Sequence, residues 1–283
     1  MKSSLSPEYN CTVMEGRRVG VSASGRRYTC NLMKGVALAE SRQLLLEWQP
    51  GEDRASFSAR VAGANLLGKA SRRRVRDLVQ SVFWPRFFAG NVPPGELARM
   101  MLKVIFDTAT AFRLVYYHAA LADRLLYDFV TQWLLALYQK SRHQVVVDDG
   151  VAFIEKQIQS GLIKPPWSEN VKLKTAQGLL AACRDGGILR GTVKKEFAPV
   201  QLPRPVFLYV AYYLKGLVAS AARLVAHPDW GLFLLTPRQV EELFLEAHQA
   251  GDLGFYCAGG IMRVEWPYPD LARFVRGFTG TNA

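Results

Sequence analysis

The chain of 283 residues is 49% hydrophobic and 11% aromatic, which is enough apolar material for a packed core and excludes a disordered protein. Its 36 Lys and Arg outnumber 24 Asp and Glu, and the resulting net charge of +12 favours a polyanionic partner, either nucleic acid or an anionic membrane surface. A membrane-spanning helix needs about 18 nearly uncharged residues. The longest uncharged stretch here, Phe129 to Gln139, has only 11.

No apolar stretch follows Met1-Lys2, so we predict no signal peptide and a soluble, cytoplasmic protein without membrane insertion. The cysteines show no C-x-x-C pairing and no histidine at zinc-ligand spacing, which predicts free thiols and no metal site. They are Cys11, Cys30, Cys183 and Cys257.

The first predicted unit is residues 1–27, a Ser-, Gly- and Arg-rich segment that we interpret as a flexible basic arm. Residues 28–145 are predicted to form a helical domain. Its first helix runs from Tyr28 to Trp48, and its aromatic-rich part, residues 95–140, is predicted to hold two or three packed helices.

Between these segments the sequence predicts a helix-turn-helix. The first helix starts near Ser56, the turn covers Asn65 to Ala70, and Ser71 is a suitable N-cap because its hydroxyl can accept from a free N–H of the first turn. The second helix has one apolar stripe at helical spacing, and Pro85 kinks or ends it. The stripe consists of Val75, Leu78, Val79, Val82 and Phe83.

The same turn also has the glycine spacing of a phosphate-binding P-loop, from Gly63 to Gly68-Lys69. That interpretation fails because the next residue, Ala70, lacks the hydroxyl that should hold magnesium. The segment before Gly63 is also a polar helix former rather than the buried strand that precedes a P-loop. We therefore predict no nucleotide binding at this turn.

Residues 146–203 are predicted to form a winged-helix-like unit. One helix follows a cap at Asp148 or Asp149, a second follows a cap at Ser168, and a short hairpin pairs Ile188-Leu189-Arg190 with residues 197–200.

Residues 204–283 are predicted to form a C-terminal helical region with a small hairpin. A long apolar helix covers residues 205–225, and Thr236 with Gln239 has the spacing of a capping box. The hairpin turns at Gly259-Gly260. The whole chain is thus predicted to be mainly α, a multi-helix bundle with a helix-turn-helix and a winged-helix-like unit that carry short β-hairpins.

Basic residues crowd the N-terminal end of the second helix of the helix-turn-helix. Residues 60–88 hold seven Lys and Arg but one acidic residue, Asp77. This end of a recognition helix meets the major groove, and its free N–H groups favour phosphate. The alternative is a solvated basic face that supports solubility. The predicted DNA contacts here are Lys69, Ser71, Arg72, Arg73, Arg74 and Arg76.

The winged-helix-like unit is basic as well, and lysines of a wing commonly bind backbone phosphate. A winged helix that only docks another protein is the alternative. The helix after Thr236 carries three glutamates and is expected to face away from nucleic acid. The predicted DNA contacts of this unit are Lys172, Lys174, Arg190, Lys194 and Lys195.

We find no catalytic signature in the sequence. The four histidines lie far apart, without an H-E-x-x-H motif or a paired nucleophile, and no carboxylate cluster or glycine-rich cofactor loop is present. We therefore predict no catalytic residues, no cofactor and no enzyme activity.

The chain resembles the BrxA family of bacteriophage-exclusion (BREX) defence systems over about residues 28–215. The resemblance implies a non-enzymatic, all-helical, DNA-binding component of a phage-exclusion system, with a fold that has been compared with NusB-like bundles. Other phage-exclusion proteins are implied as partners. The residues that carry the resemblance are Tyr28, Asn65-Leu66-Leu67-Gly68-Lys69 with Ser71, Trp167-Ser168, Ala176 with Leu179-Leu180, and Asp185-Gly186-Gly187-Ile188-Leu189.

The leading hypothesis is therefore a protein that binds double-stranded DNA in a phage-exclusion system. An RNA-binding helical bundle is the first alternative, because exposed Tyr and Trp could stack on unpaired bases. A scaffold whose basic faces dock acidic partner proteins is the second.

Overall fold

The computed structural model describes residues 27–90 and 92–280. These residues are mainly helical and include two small antiparallel sheets, which confirms the predicted fold class. The predicted N-terminal arm lies outside the described residues except for Arg27.

The segment from Tyr28 to Trp48, predicted as one helix, contains a bend. A 3-10 helix, Asn31–Lys34, is separated from helix α1, Leu38–Glu47. Gly35 has φ +89° and Ala37 has φ +50°, which is the left-handed region that an α-helix cannot contain. The prediction of one continuous helix is wrong at this bend.

The next two helices follow in the predicted order. Helix α2, Arg54–Gly63, starts two residues earlier than predicted because the Asp53 carboxylate accepts from the N–H groups of Ala55 and Ser56. The following helix covers residues 72–87 and is called α3. It consists of an α-helical start, a π-helical middle and a last α-helical turn, which are Arg72–Asp77, Leu78–Phe83 and Trp84–Phe87.

Pro85 lies inside the last turn of α3 rather than at its end. Just before it, the N–H of Trp84 donates to the carbonyl of Val79, five residues back. This wider π turn relaxes the helix where Pro85 has no N–H to donate. The helix therefore continues to Phe87, two residues past the proline that was expected to kink or end it.

Three helices fill the aromatic-rich segment, in agreement with the sequence. Helix α4 is Gly95–Val104 and α5 is Thr108–Ala122. Helix α6 covers residues 124–139 and contains a second π-helical stretch, Phe129–Leu134. Ten of the fifteen residues of α5 are buried, which makes it the central helix of this part of the chain.

The elements of the winged-helix-like unit occur in the expected order of helix, helix and hairpin, preceded by a short strand. The strands form one antiparallel sheet in the order β1-β3-β2, in which Gln144 is opposite Glu196 and Arg190 is opposite the same residue. The elements are β1 (Gln144–Val145), α7 (Val147–Gln159), α8 (Glu169–Asp185), β2 (Leu189–Arg190) and β3 (Lys195–Phe197).

Two details of this unit differ from the prediction. Val146, not an aspartate, has the N-cap position of α7, and Asp149 in the first turn accepts from the Val146 N–H at 2.8 Å. Ser168 does precede α8, but its hydroxyl accepts no hydrogen bond from the first turn. The second strand of the hairpin starts at Lys195, earlier than predicted.

The C-terminal part differs from the prediction at its start and its end. The predicted helix over residues 205–225 is two helices, because the chain leaves the helix at Gly216 and Ser220 caps a new one by accepting from the Arg223 N–H. The last helix was missed. The elements are α9 (Arg204–Lys215), α10 (Ala221–Val225), a 3-10 helix (Pro228–Phe233), α11 (Pro237–Gln249), β4 (Gly254–Ala258), β5 (Ile261–Glu265) and α12 (Leu271–Phe278).

One continuous apolar core runs from Leu32 to Val275. The core extends across the predicted boundaries near residues 145 and 203, so buried residues on both sides of each boundary belong to the same core. This core holds α2, α3 and the winged-helix-like unit in fixed positions and leaves their basic ends on the surface.

Candidate nucleic-acid interface

Apolar contacts fix α3 against α2. The rings of Phe57 and Phe83 lie 5.3 Å apart, and Val61, Val75 and Val79 are fully buried with them. The direction of α3 is thus set by its apolar stripe, and its opposite face is left to solvent.

The turn between the two helices is held by its own residues. Asn65 and Gly68 have φ +47° and +59°, and the Asn65 side-chain carbonyl accepts from the Lys69 N–H at 3.1 Å. A P-loop follows a buried strand, whereas Gly63 is the last residue of a helix. The geometry is that of two helices joined by a turn.

The N-terminus of α3 is capped as the sequence predicts. The Ser71 hydroxyl accepts from the Arg74 N–H at 3.3 Å, which leaves other N–H groups of the first turn open to solvent. These groups and the helix dipole give this end a positive potential. Ser71 therefore acts on α3 itself, and any contact that it makes to a ligand is additional.

Three arginines surround this end of α3 without a partner among the described residues. Arg72, Arg73 and Arg76 are exposed and make no ion pair or side-chain hydrogen bond to any residue in the described ranges. Their guanidinium groups are thus available to phosphate oxygens or to guanine edges, which both fit the planar donor fork.

The other two predicted cations at this end already have partners. Lys69 donates to the Glu40 carboxylate at 2.8 Å, and Arg74 donates to the Lys34 carbonyl at 3.1 Å. Burial works to raise the pKa of Glu40, but the hydrogen bond and charge of Lys69 outweigh it and hold this pKa below its ordinary value. Lys69 therefore fastens the turn to the first turn of α1, and Arg74 fastens α3 to the 3-10 helix before α1.

Two further cations of residues 60–88 are internal or paired. Arg60 forms an ion pair with Glu52 at 2.7 Å. Arg86 is buried, donates to the Ser41 hydroxyl at 2.7 Å, and has its pKa lowered to about 10 by burial. Of the seven cations counted in the sequence, only the three arginines above are both exposed and unpaired in the described structure.

The wing is the loop between β2 and β3. Gly191 has φ +90°, and a Cβ there would lie 2.1 Å from the Lys194 carbonyl oxygen, so the tight turn requires glycine. Val193 at the tip is 92% exposed. The loop thus projects from the sheet with both basic and apolar side chains on it.

The predicted cations of this unit divide into free and paired ones. Lys174 and Lys194 are exposed and have no partner among the described residues. Arg190 pairs with Glu196 at 3.1 Å on the outer face of the sheet, and Lys195 donates to the Thr192 carbonyl. Both pairs are solvent-exposed and can exchange for phosphate at low cost.

Lys172 is the exception to the prediction for this unit. Only 7% of it is exposed, and its ammonium group lies 2.6 Å from Glu169 and 2.9 Å from Glu155, which raise its pKa. This lysine joins α8 to α7. The structure therefore corrects its assignment to the DNA-contacting surface.

Lys34 is an exposed cation in contact with α3 that was not among the residues predicted from the sequence. It ends the 3-10 helix, its side chain is exposed, and its carbonyl accepts from Arg74 of α3. Forty residues separate it from Arg74, so no spacing rule could have joined the two. Its basic side chain alone was visible in the sequence.

Metal-binding clusters and membrane-spanning helices were sought among the described residues. No group of three or more His, Cys, Asp or Glu in residues 27–90 and 92–280 could hold a metal ion. Within the same ranges, no helix has the length and apolar character needed to cross a membrane. His118 is buried between the Arg86 carbonyl and the Tyr209 hydroxyl, each at 3.0 Å.

Comparison with known proteins gives both a structural and a family match. The fold is similar to that of an uncharacterized protein from Magnetospirillum magneticum, with a TM-score of 0.55 and 18% sequence identity. The similarity covers 68% of this chain and 96% of that protein. No curated protein matches the chain. The BrxA family matches residues 26–212, about two thirds of the chain, so the chain belongs to the BrxA family and is a component of a BREX phage-defence system.

Proposed function

We propose that this BrxA-family protein binds double-stranded DNA without being an enzyme, through the N-terminal end of α3 and the basic wing. The observation that carries the proposal is that Arg72, Arg73 and Arg76 are exposed and have no ion pair or side-chain hydrogen bond among the described residues. Neighbouring cations are fastened by Glu40, Glu52 or backbone carbonyls, whereas these three point to solvent at a positive helix end.

A duplex is favoured over single-stranded RNA by where the aromatic side chains lie. Recognition of unpaired bases relies on exposed rings for stacking. Among the Phe, Tyr and Trp residues that the structure describes, only Phe106, Tyr256 and Phe278 are exposed. None of the three belongs to α3 or to the wing. The basic surface thus offers charge and donor forks, which suit a duplex backbone and groove.

The test is the simultaneous change of Arg72, Arg73 and Arg76 to Ala. We expect the thermal stability to stay the same, because these side chains have no partner in the part of the chain that the structure describes and Ala is a good helix former. Affinity for duplex DNA in fluorescence anisotropy should fall at least tenfold, about 1.4 kcal/mol. Arg74 is left unchanged because it holds Lys34.

The matched control changes Arg223, Arg273 and Arg276 to Ala. These arginines are also exposed and without a side-chain partner in the described ranges, and their removal changes the net charge by the same amount. If both triple variants lose affinity equally, binding follows overall charge and not this site. Tighter binding of hairpin RNA than of duplex DNA by the parent would favour the RNA-binding alternative.

A further inference from the structure

The 3-10 helix Asn31–Lys34 lies between the two basic helices and touches both. On one side, the Lys34 carbonyl accepts from the Arg74 guanidinium of α3. On the other side, the backbone of Leu32 packs so closely on α8 that a Cβ at Gly178 would lie 2.1 Å from the Leu32 carbonyl oxygen. This short segment therefore bridges α3 and α8, and we call it the spacer.

Of the exposed cations on the two helices, Lys174 and Arg73 are the ones that helical spacing places nearest to the spacer contacts. Lys174 is one helical turn before Gly178, on nearly the same face of α8, and its side chain is exposed. On α3, the helical repeat of about 100° per residue puts Arg73 between Arg74 and Arg76 around the axis. Lys34 is the last residue of the spacer itself, and its side chain is exposed.

We infer that Lys34 and its spacer join α3 and α8 into one continuous binding surface, so that a single DNA duplex contacts both helices at once. The inference rests on the proposed function and adds to it a further contact residue and a fixed geometry. The surface consists of Lys174, Lys34, Arg73, Arg72 and Arg76.

A single surface predicts one duplex per chain, with two contacted regions on the same DNA. On a labelled duplex of about two turns, roughly 20 base pairs, hydroxyl-radical footprinting should show two protected backbone regions. The Lys174→Gln variant should lose one region, and the triple Arg72, Arg73 and Arg76 to Ala variant should lose the other. Native mass spectrometry should give one duplex per chain.

Lys34→Gln tests the spacer lysine directly. The change should lower the slope of log affinity against log salt by about one unit, as expected for one lost phosphate contact. Lys103→Gln is the matched control, since Lys103 is also exposed and without a partner in the described structure, but lies on α4. Identical salt slopes for the two variants would overturn the role of Lys34.

Gly178→Ala tests the geometry without changing any charge. The added methyl group must displace the spacer from α8, so we expect weaker duplex binding and the loss of one protected region. If this variant does not fold, the Lys34→Gln comparison and the footprint still decide the matter. Two duplexes bound per chain by the parent would overturn the inference, whereas a parent that binds no duplex would overturn the proposed function itself.

Discussion

At the scale of single residues, burial and pairing decide which ionisable side chains can act on a ligand. His118 shows this most clearly. One of its ring nitrogens faces the Arg86 carbonyl, which can only accept, so Nδ1 carries the proton and Nε2 accepts from the Tyr209 hydroxyl. Burial lowers the pKa of His118 to about 4. The residue is thus a neutral part of the core and has no role at the surface.

His118 should make the protein less stable as the pH falls. In the unfolded chain this residue takes up a proton below about pH 6.5, whereas in the folded chain it stays neutral down to about pH 4. The free energy of unfolding therefore decreases as the pH falls from about 6.5 to about 4, by up to roughly 3 kcal/mol from this residue. Urea unfolding at pH values between 7 and 4, about one unit apart, measures how steeply the free energy of unfolding depends on pH.

His118→Gln supplies the comparison for that measurement, because an amide can donate and accept at similar positions but does not titrate. The variant should be less stable at neutral pH and should show a flatter dependence on pH. Burial also lowers the pKa of His227, so a smaller slope should remain. Equal slopes for parent and variant would contradict the assignment of the slope to His118.

At the scale of elements, local capping defines where the binding helix begins, while contacts from distant residues define where it lies. Ser71 caps α3 within its own first turn. Glu40 and Lys34 hold Lys69 and Arg74 from the region before and at the start of α1. The helix end is therefore presented as a rigid unit, which favours a ligand that needs several contacts at once.

Ser71→Ala should separate stability from binding. Loss of the cap should lower the free energy of unfolding by about 1 kcal/mol. The salt slope of DNA binding should stay the same, because no charge is removed. Ser71→Asp restores a capping oxygen and should recover the stability, but its negative charge at the helix end should weaken DNA binding. A Ser71→Ala variant with parental stability would show that the hydroxyl contributes nothing to α3.

At the scale of the whole molecule, buried polar contacts connect the family-matched region with the chain that follows it. The Asp229 carboxylate, 4% exposed, accepts from the Tyr117 and Tyr127 hydroxyls at 2.7 Å each. Tyr117 also stacks on Phe233, with ring centroids 6.0 Å apart. The family match ends at residue 212, yet the helices α5 and α6 depend on residues 228–233 for these contacts.

Asp229→Ala should destabilise the whole protein rather than its C-terminal part. The change leaves two buried hydroxyls without an acceptor, at a cost of roughly 2–4 kcal/mol. Because the core is continuous, we expect one cooperative thermal transition at a lower temperature. Two separate transitions in differential scanning calorimetry would instead show that residues after 212 unfold on their own.

The salt dependence of DNA binding is also a property of the whole molecule, because it reflects all the phosphates that the protein neutralises. Log affinity should fall linearly with log salt, because each contacted phosphate releases condensed counterions. Removal of Arg72, Arg73 and Arg76 together should reduce the slope by roughly 0.9 for each lost contact. Affinity that stays constant between low and moderate salt would rule out an electrostatic mechanism.

The sequence by itself determined the features that depend on near neighbours. The caps at Ser71 and Thr236, the turn after α2 and the Gly259-Gly260 hairpin all follow from residues within a few positions of each other. The mainly helical class follows in the same way from apolar spacing. Motifs in residues 28–215 were also enough to indicate the family that the match confirms.

Only the tertiary structure decided which lysines and arginines are exposed and unpaired among the described residues. Lys172 and Lys174 are two residues apart, but the carboxylate of Glu155, on α7, reaches only the first. Arg86 is buried against Ser41, and Lys34 comes to Arg74 across forty residues. Ion pairing and burial are set by neighbours that are distant in the chain, and sequence spacing carries no information about them.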